Sequence, residues 1–164
     1  MRYTDINKSC CFTGHRDLPL GLYAAISKEI DVQIARLYDL GVRRFIAGGA
    51  LGFDTLCAER VIALKEKYSD VTLTLALPCR DQDKRWGKED RKRFSDILVR
   101  ADEVIYVSEE YTRYCMFKRN RFMVDNSRYC VSYCTEVSGG TYYTVNYARS
   151  VFREITELSD KVGQ

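Results

Sequence analysis

Apolar residues along the chain fall into short runs, separated by longer stretches where they recur every three or four positions. The runs read as strands over Ser9 to Phe12, Arg44 to Ala47, Val71 to Leu77, Glu103 to Val107 and Tyr129 to Cys134. The periodic stretches read as helices. Leu22, Ile26, Ile30, Ile34, Leu37 and Tyr38 share one face of a helix predicted over 20–40, with Gly41 as its stop. Leu56, Val61, Leu64 and Tyr68 mark a second helix over 53–68, and Trp86, Phe94, Ile97 and Leu98 a third over 83–100. A short helix is expected over 116–126. A last one runs from Gly139-Gly140 through Leu158, with Tyr147, Val151, Phe152, Ile155 and Leu158 turned inward. Strands alternating with helices predict parallel pairing through crossovers, because helices must cover both faces of such a sheet. The expected fold is α/β: one doubly wound domain over 1–164, with a mostly parallel sheet of about five strands.

Composition narrows the classes. Hydrophobic residues make up 46% and charged residues 30% of the 164, enough apolar material for a core and too much for a disordered chain. No apolar run approaches the roughly 20 residues that span a bilayer. The opening MRYTDINKSCCF has no signal-peptide apolar region, so a cytoplasmic location without membrane attachment is expected. The seven cysteines are odd in number and show neither CxxC nor zinc-type spacing. They read as reduced structural thiols, with no metal site expected. The net charge of +3 lacks the strong basic excess of a nucleic-acid binder, so nucleic acid is not the expected partner. Cations nevertheless concentrate over 83–93 and 118–128, as a small anionic ligand would require.

In open α/β sheets, ligands bind outside the carboxyl ends of the strands. Here the first strand is followed by Thr13-Gly14-His15-Arg16, and the second by Gly48-Gly49 and then Gly52-Phe53-Asp54. The fifth is followed by Ser138-Gly139-Gly140-Thr141. Glycines let backbone approach a phosphate, and the free N–H groups of a helix's first turn point at it. Arg16 adds a charged fork, and Thr13, Ser138 and Thr141 add hydroxyls. The same glycines also serve tight turns. Asp54 either complements its helix dipole or accepts from a ribose hydroxyl. His15 is a candidate proton carrier, a ligand contact or a loop brace. Trp86 is either a stacking platform or a packing residue. No Walker motif and no GxGxxG follow the first strand, so ordinary NTPase and dehydrogenase sites are excluded.

Six ordered blocks carry a resemblance: TGHR, GGALGFD, LPCRDQDKRW, ADEVIYVS, MFKRNRFMVDNS and SGGTYYTVNYA. Together they resemble the YpsA family of the SLOG superfamily, a Rossmann-like group that includes the Smf/DprA proteins and the cytokinin-activating LOG enzymes. The resemblance implies a nucleotide-derived, ADP-ribose-like or nucleoside-phosphate-like ligand at the glycine loops. It adds Gln82 and Trp86 from the third block and Arg119, Asn120 and Asp125 from the fifth. Those three also suit a solvated helix with its terminal cap. LOG enzymes carry PGGxGTxxE, whereas this chain has no Glu or Asp between Ser138 and Ala148. LOG-type catalysis is therefore not expected, and no catalytic residue or bound cofactor is assigned. The expected role is a sensor or adaptor that binds a small nucleotide-like ligand and is able to self-associate. The alternatives are a nucleotide hydrolase, with Asp54 or Asp125 as carboxylate and His15 as relay, and a single-stranded DNA binder using Trp86 and the cationic stretches.

Overall fold

The computed structural model describes residues 5–163. Six strands form one all-parallel sheet: β1 (Ser9–Gly14), β2 (Arg44–Ala47), β3 (Thr72–Leu77), β4 (Glu103–Tyr106), β5 (Tyr129–Tyr133) and β6 (Glu154–Glu157). The helices between them are α1 (Tyr23–Asp39), α2 (Phe53–Lys67), α3 (Lys88–Arg100), α4 (Cys115–Asp125) and α5 (Gly140–Ser150). A short α6 (Ser159–Val162) packs beside α1.

The strand order is β4-β3-β2-β1-β5-β6. The chain steps away from β1 in one direction through β4, then returns to the other side of β1 for β5 and β6. Right-handed crossovers turn that reversal into two layers, with α1–α3 on one face and α4–α5 on the other. Alternate strand residues feed the two cores accordingly. Cys10, Phe12, Phe45, Leu73, Leu75 and Val131 join the helices of the first layer, while Cys11, Ile46, Ala76 and Cys130 join Met123, Val124 and Ala148 on the second. Six of the seven cysteines are buried, and Cys134 is half-buried.

The last predicted helix needs correction. It ends at Ser150, and residues 154–157 form β6, pairing with β5 from Tyr129↔Glu154 to Ser132↔Glu157. Phe152, expected inside, is 91% exposed with φ +61°. Its N–H donates to the Arg149 carbonyl, and that of Arg153 to Ala148. This is a Schellman cap, whose left-handed position is usually glycine. The α1 terminus has the same cap with the usual residue: Gly41 has φ +104°, Gly41 N–H donates to Tyr38 and Val42 N–H to Leu37. A phenylalanine in the glycine role hid the second stop, and Val151 and Ile155 continued the helical spacing across it. Two other ends shift. Leu20–Leu22 form a 3-10 turn ahead of α1, and α3 begins at Lys88 because extended Gly87 precedes it.

Two loop glycines fix how the strand ends meet. Gly52, at φ +79°, packs so tightly on the β1 loop that a Cβ there would lie 2.0 Å from the Arg16 carbonyl oxygen. A Cβ on Gly14 would lie 2.3 Å from the Phe53 ring. The Gly52→Ala variant is therefore expected to lose about 3 kcal/mol or more, from left-handed strain plus the clash. Gly21→Ala, whose Cβ meets nothing within 4 Å, is expected to stay within about 0.5 kcal/mol of the parent. Urea unfolding of both variants measures the difference.

Candidate functional site

The loops after β1 and β5 leave the sheet in opposite directions, which opens a crevice at the carboxyl ends of these neighbouring strands. A cavity of about 420 Å³ occupies it. Its walls are Thr13, Gly14 and Arg16 from the β1 end, Gly140 and Thr141 from the first turn of α5, and Asp54 from the first turn of α2. Gln82 and Trp86 close it from the β3–α3 loop, and Arg119 and Asn120 from α4. A second groove of about 710 Å³ shares Arg16, Gln82, Trp86, Tyr111 and Met116 with it, and continues outward past Lys84 and Arg85.

The loops around the cavity are stitched together by hydrogen bonds. Phe53 N–H donates to the His15 carbonyl at 3.1 Å, which joins the β2 loop to the β1 loop. Thr135 N–H donates to His15 Nε2 at 2.9 Å, which joins the β5 loop to the same residue. Nε2 accepts only when the ring is neutral there. Gln82 Nε2 donates to the Gly49 carbonyl at 3.2 Å, bringing in the β3 loop. Each bond fixes one wall relative to the next.

The inner wall carries opposed charges. Arg119 is only 4% exposed; its Nη1 donates to the Gly48 carbonyl and its Nε to Asn120 Oδ1 at 2.8 Å. Its Nη2 meets the Met116 sulfur at 3.7 Å, a weak acceptor. Across Gly48 lies Asp54, 6% exposed, whose Oδ2 accepts from Ala50 N–H at 3.3 Å. A Cβ on Gly48 would sit 2.7 Å from Asp54 Oδ2 and 2.8 Å from Arg119 Nη1, so only glycine allows the two groups to approach over this backbone. Burial pushes the Asp54 carboxyl up to about 6, against the opposing pull of Arg119, the Ala50 amide and Arg16. Burial likewise draws the Arg119 guanidinium below its ordinary range. A carboxyl near 6 at the wall of a cleft can hold or release a proton near neutral pH.

Ten of the seventeen residues singled out from the sequence line the cavity: Thr13, Gly14, Arg16, Asp54, Gln82, Trp86, Arg119, Asn120, Gly140 and Thr141. His15 braces loops behind the wall, and Gly48, Gly49 and Gly52 serve close packing. Ser138 and Gly139 are exposed just ahead of α5. Asp125 is outside this group: it is exposed and accepts a 2.5 Å hydrogen bond from the Tyr147 hydroxyl. Trp86 does both things weighed for it, lining the cavity and meeting Phe94 edge-on at 5.3 Å. The sequence reading missed Phe12, Ala50, Tyr111, Met116 and Met123. Of these, Met116 and Met123 lie three residues before and four after Arg119, a helical spacing that could have marked them.

Comparison with known proteins adds relatives. A family model described as the YspA SLOG family matches residues 10–157. The uncharacterized SPbeta prophage-derived protein YoqJ of Bacillus subtilis is 33% identical over 121 residues, covering 66% of this chain and 71% of that protein. Among solved structures, DNA processing protein A from Streptococcus pneumoniae superposes with a TM-score of 0.67 at 15% identity, over 92% of this chain. The Helicobacter pylori protein of the same name, described by its single-stranded DNA binding mode, gives 0.66 at 16% identity, over 94% of this chain. This chain spans 50% and 66% of those two longer chains, and the likeness to them is one of fold.

The buried carboxyl has a measurable consequence. Its folded-state value of about 6 lies above the ordinary 3.8, so the native state binds more protons than the unfolded state between these values. Stability therefore falls as pH rises from about 4 to 6, by about 3 kcal/mol. Asp54→Asn removes that loss. The variant is expected to be up to about 3 kcal/mol more stable than the parent at pH 7.5, with the gain shrinking as pH approaches 4. Urea unfolding at several pH values checks this.

Proposed function

We propose that this chain, which belongs to the YspA SLOG family, binds a nucleotide-derived ligand in the crevice between β1 and β5. The carrying observation is that groups suited to an anion and groups suited to a sugar and a base line one cavity. Arg16 lines it together with Gly140 and Thr141 at the start of α5, where Gly139 stands at the N-cap. Uncapped amides plus a guanidinium suit a phosphate. Asp54 supplies a carboxylate acceptor for sugar hydroxyls, and the half-buried Trp86 supplies an aromatic face for a base. The single-stranded DNA binding of the Helicobacter pylori neighbour supports the same kind of ligand, a nucleotide unit. The reading keeps the protein as a sensor or adaptor, working without a resident cofactor.

A second reading, hydrolysis of a nucleotide, is favoured by one observation. Asp54 is a cavity-wall carboxyl that titrates near 6, as a general acid requires. His15 and Asp125 drop out of that mechanism, since both are engaged elsewhere. Release of base or phosphate by the parent but not by Asp54→Asn is the result that supports it.

Thermal shifts with ADP-ribose, NAD, AMP and nucleoside phosphates test the binding reading. A ligand at 100 times its Kd stabilises by about 2.7 kcal/mol, several degrees for a domain of this length. The expected result is a shift with one ligand class, abolished by Arg16→Ala. No shift with any of them overturns the assignment.

A further inference from the structure

The outer side of α4 and α5 carries an aromatic surface that extends beyond the crevice. Tyr111 is 67% exposed and Tyr114 63%, and Phe117, Tyr142 and Tyr143 are exposed beside them. On α4, Tyr114, Phe117, Lys118 and Arg121 recur at helical spacing and share one face. That face joins α5 through two contacts: Phe117 meets Tyr143 edge-on at 5.0 Å, and the Arg121 guanidinium lies 4.5 Å over the Tyr147 ring. The aromatic groups of the two helices are therefore one surface. It runs directly into the crevice, because Tyr111 lines the cavity, and Gly140 and Thr141 of the cavity wall immediately precede Tyr142 and Tyr143.

Charge selects the occupant. From Tyr111 to Val124 the exposed charges are Arg113, Lys118 and Arg121, with no carboxylate, while Arg119 is buried in the crevice wall. The carboxylate at the end of this helix, Asp125, is engaged by Tyr147. A second copy packed on the same face by two-fold symmetry would set these cations against their own kind. A polyanion with stackable faces meets both features, since exposed aromatics interleaved with cations are the usual platform for single-stranded nucleic acid. The net charge of +3 averages over faces and conceals this one.

We infer that the ligand is a single-stranded oligonucleotide, with its terminal nucleotide in the crevice and the following bases stacked on the α4–α5 face. The inference rests on the nucleotide reading of the crevice for that terminal unit, and on the face for the rest. The cations take backbone phosphates without reading sequence, and the rings accept any base.

Anisotropy of a fluorescein-labelled oligothymidylate of about 16 nucleotides, at low and rising salt, tests it. Tyr114→Ala and Phe117→Ala are each expected to weaken binding about fivefold or more. The Lys118→Ala, Arg121→Ala double variant is expected to flatten the salt slope by about 1.4, or roughly 0.7 per phosphate contact. Tyr114 and Lys118 are exposed, so their variants test the face without disturbing the core. Arg16→Ala is expected to weaken both the oligonucleotide and the AMP thermal shift. An AMP shift with no oligonucleotide binding overturns the inference and leaves the crevice reading standing. Oligonucleotide binding that responds to the face variants but not to Arg16→Ala, with no AMP shift, overturns the crevice reading and with it the placement of the terminal nucleotide, and leaves the face as the binding surface. Sedimentation in which Tyr114→Ala splits a dimer while oligonucleotide affinity stays unchanged assigns the face to self-association and overturns the inference.

Discussion

The close approach of the β1 and β2 loops is the constraint on which the site depends. Gly52 lies so near the Arg16 carbonyl that no side chain fits, and Gly14 lies equally near Phe53. With these loops locked, the His15 carbonyl and ring become fixed points for the β2 and β5 loops. Gln82 and Arg119 then reach the backbone at Gly49 and Gly48 and bring in the β3 loop and α4. The crevice is thus bounded by backbone held at known points, and some of the side chains lining it, Gln82 and Arg119 among them, take part in that holding.

Within that frame the inner wall is polar. A buried carboxyl and a buried guanidinium, facing each other across a glycine, cost desolvation that neither fully recovers from the other. Asp54 records the imbalance in its raised value, and Arg119 in its lowered one. A fold selected for stability alone would fill this space with apolar groups. Both charges are instead kept at the cavity wall, each anchored to nearby backbone, Arg119 at the Gly48 carbonyl and Asp54 at the Ala50 amide.

How much of this was legible depended on whether the chain used the customary residue. Gly41 announced the end of α1 because glycine occupies its left-handed cap, whereas Phe152 performs the same turn and so β6 was read as more helix. The glycine loops stood out in sequence, but their several jobs did not. Gly140 lines the cavity, while Gly49 and Gly52 pack behind it. The sequence leaves His15 open as proton carrier, ligand contact or loop brace, and only the fold reveals the brace, because the amide it accepts belongs to Thr135, 120 residues away. Tyr111 escaped notice since it sits in an irregular loop, where no periodicity marks a face. The aromatic seam was hidden for a related reason: Phe117 and Tyr143 become neighbours only through the packing of α4 on α5.

The two helical layers are unequal, and the inequality bears on motion. The α1–α3 side buries Phe12, Phe45, Phe53 and a row of isoleucines and leucines. The α4–α5 side buries Cys11, Ala76, Cys130 and Ala148 with the larger Ile46, Met123 and Val124, and half-buried Phe122, Tyr147, Val151 and Ile155 pack over them. Sub-global opening follows the weaker packing, so amide hydrogens of the α4–α5 layer are expected to exchange before those of α1–α3. Arg119 and the aromatic seam ride on that layer. The two walls of the crevice thus rest on layers of unequal packing, the deeper one behind β1–β3 and the shallower one behind α4.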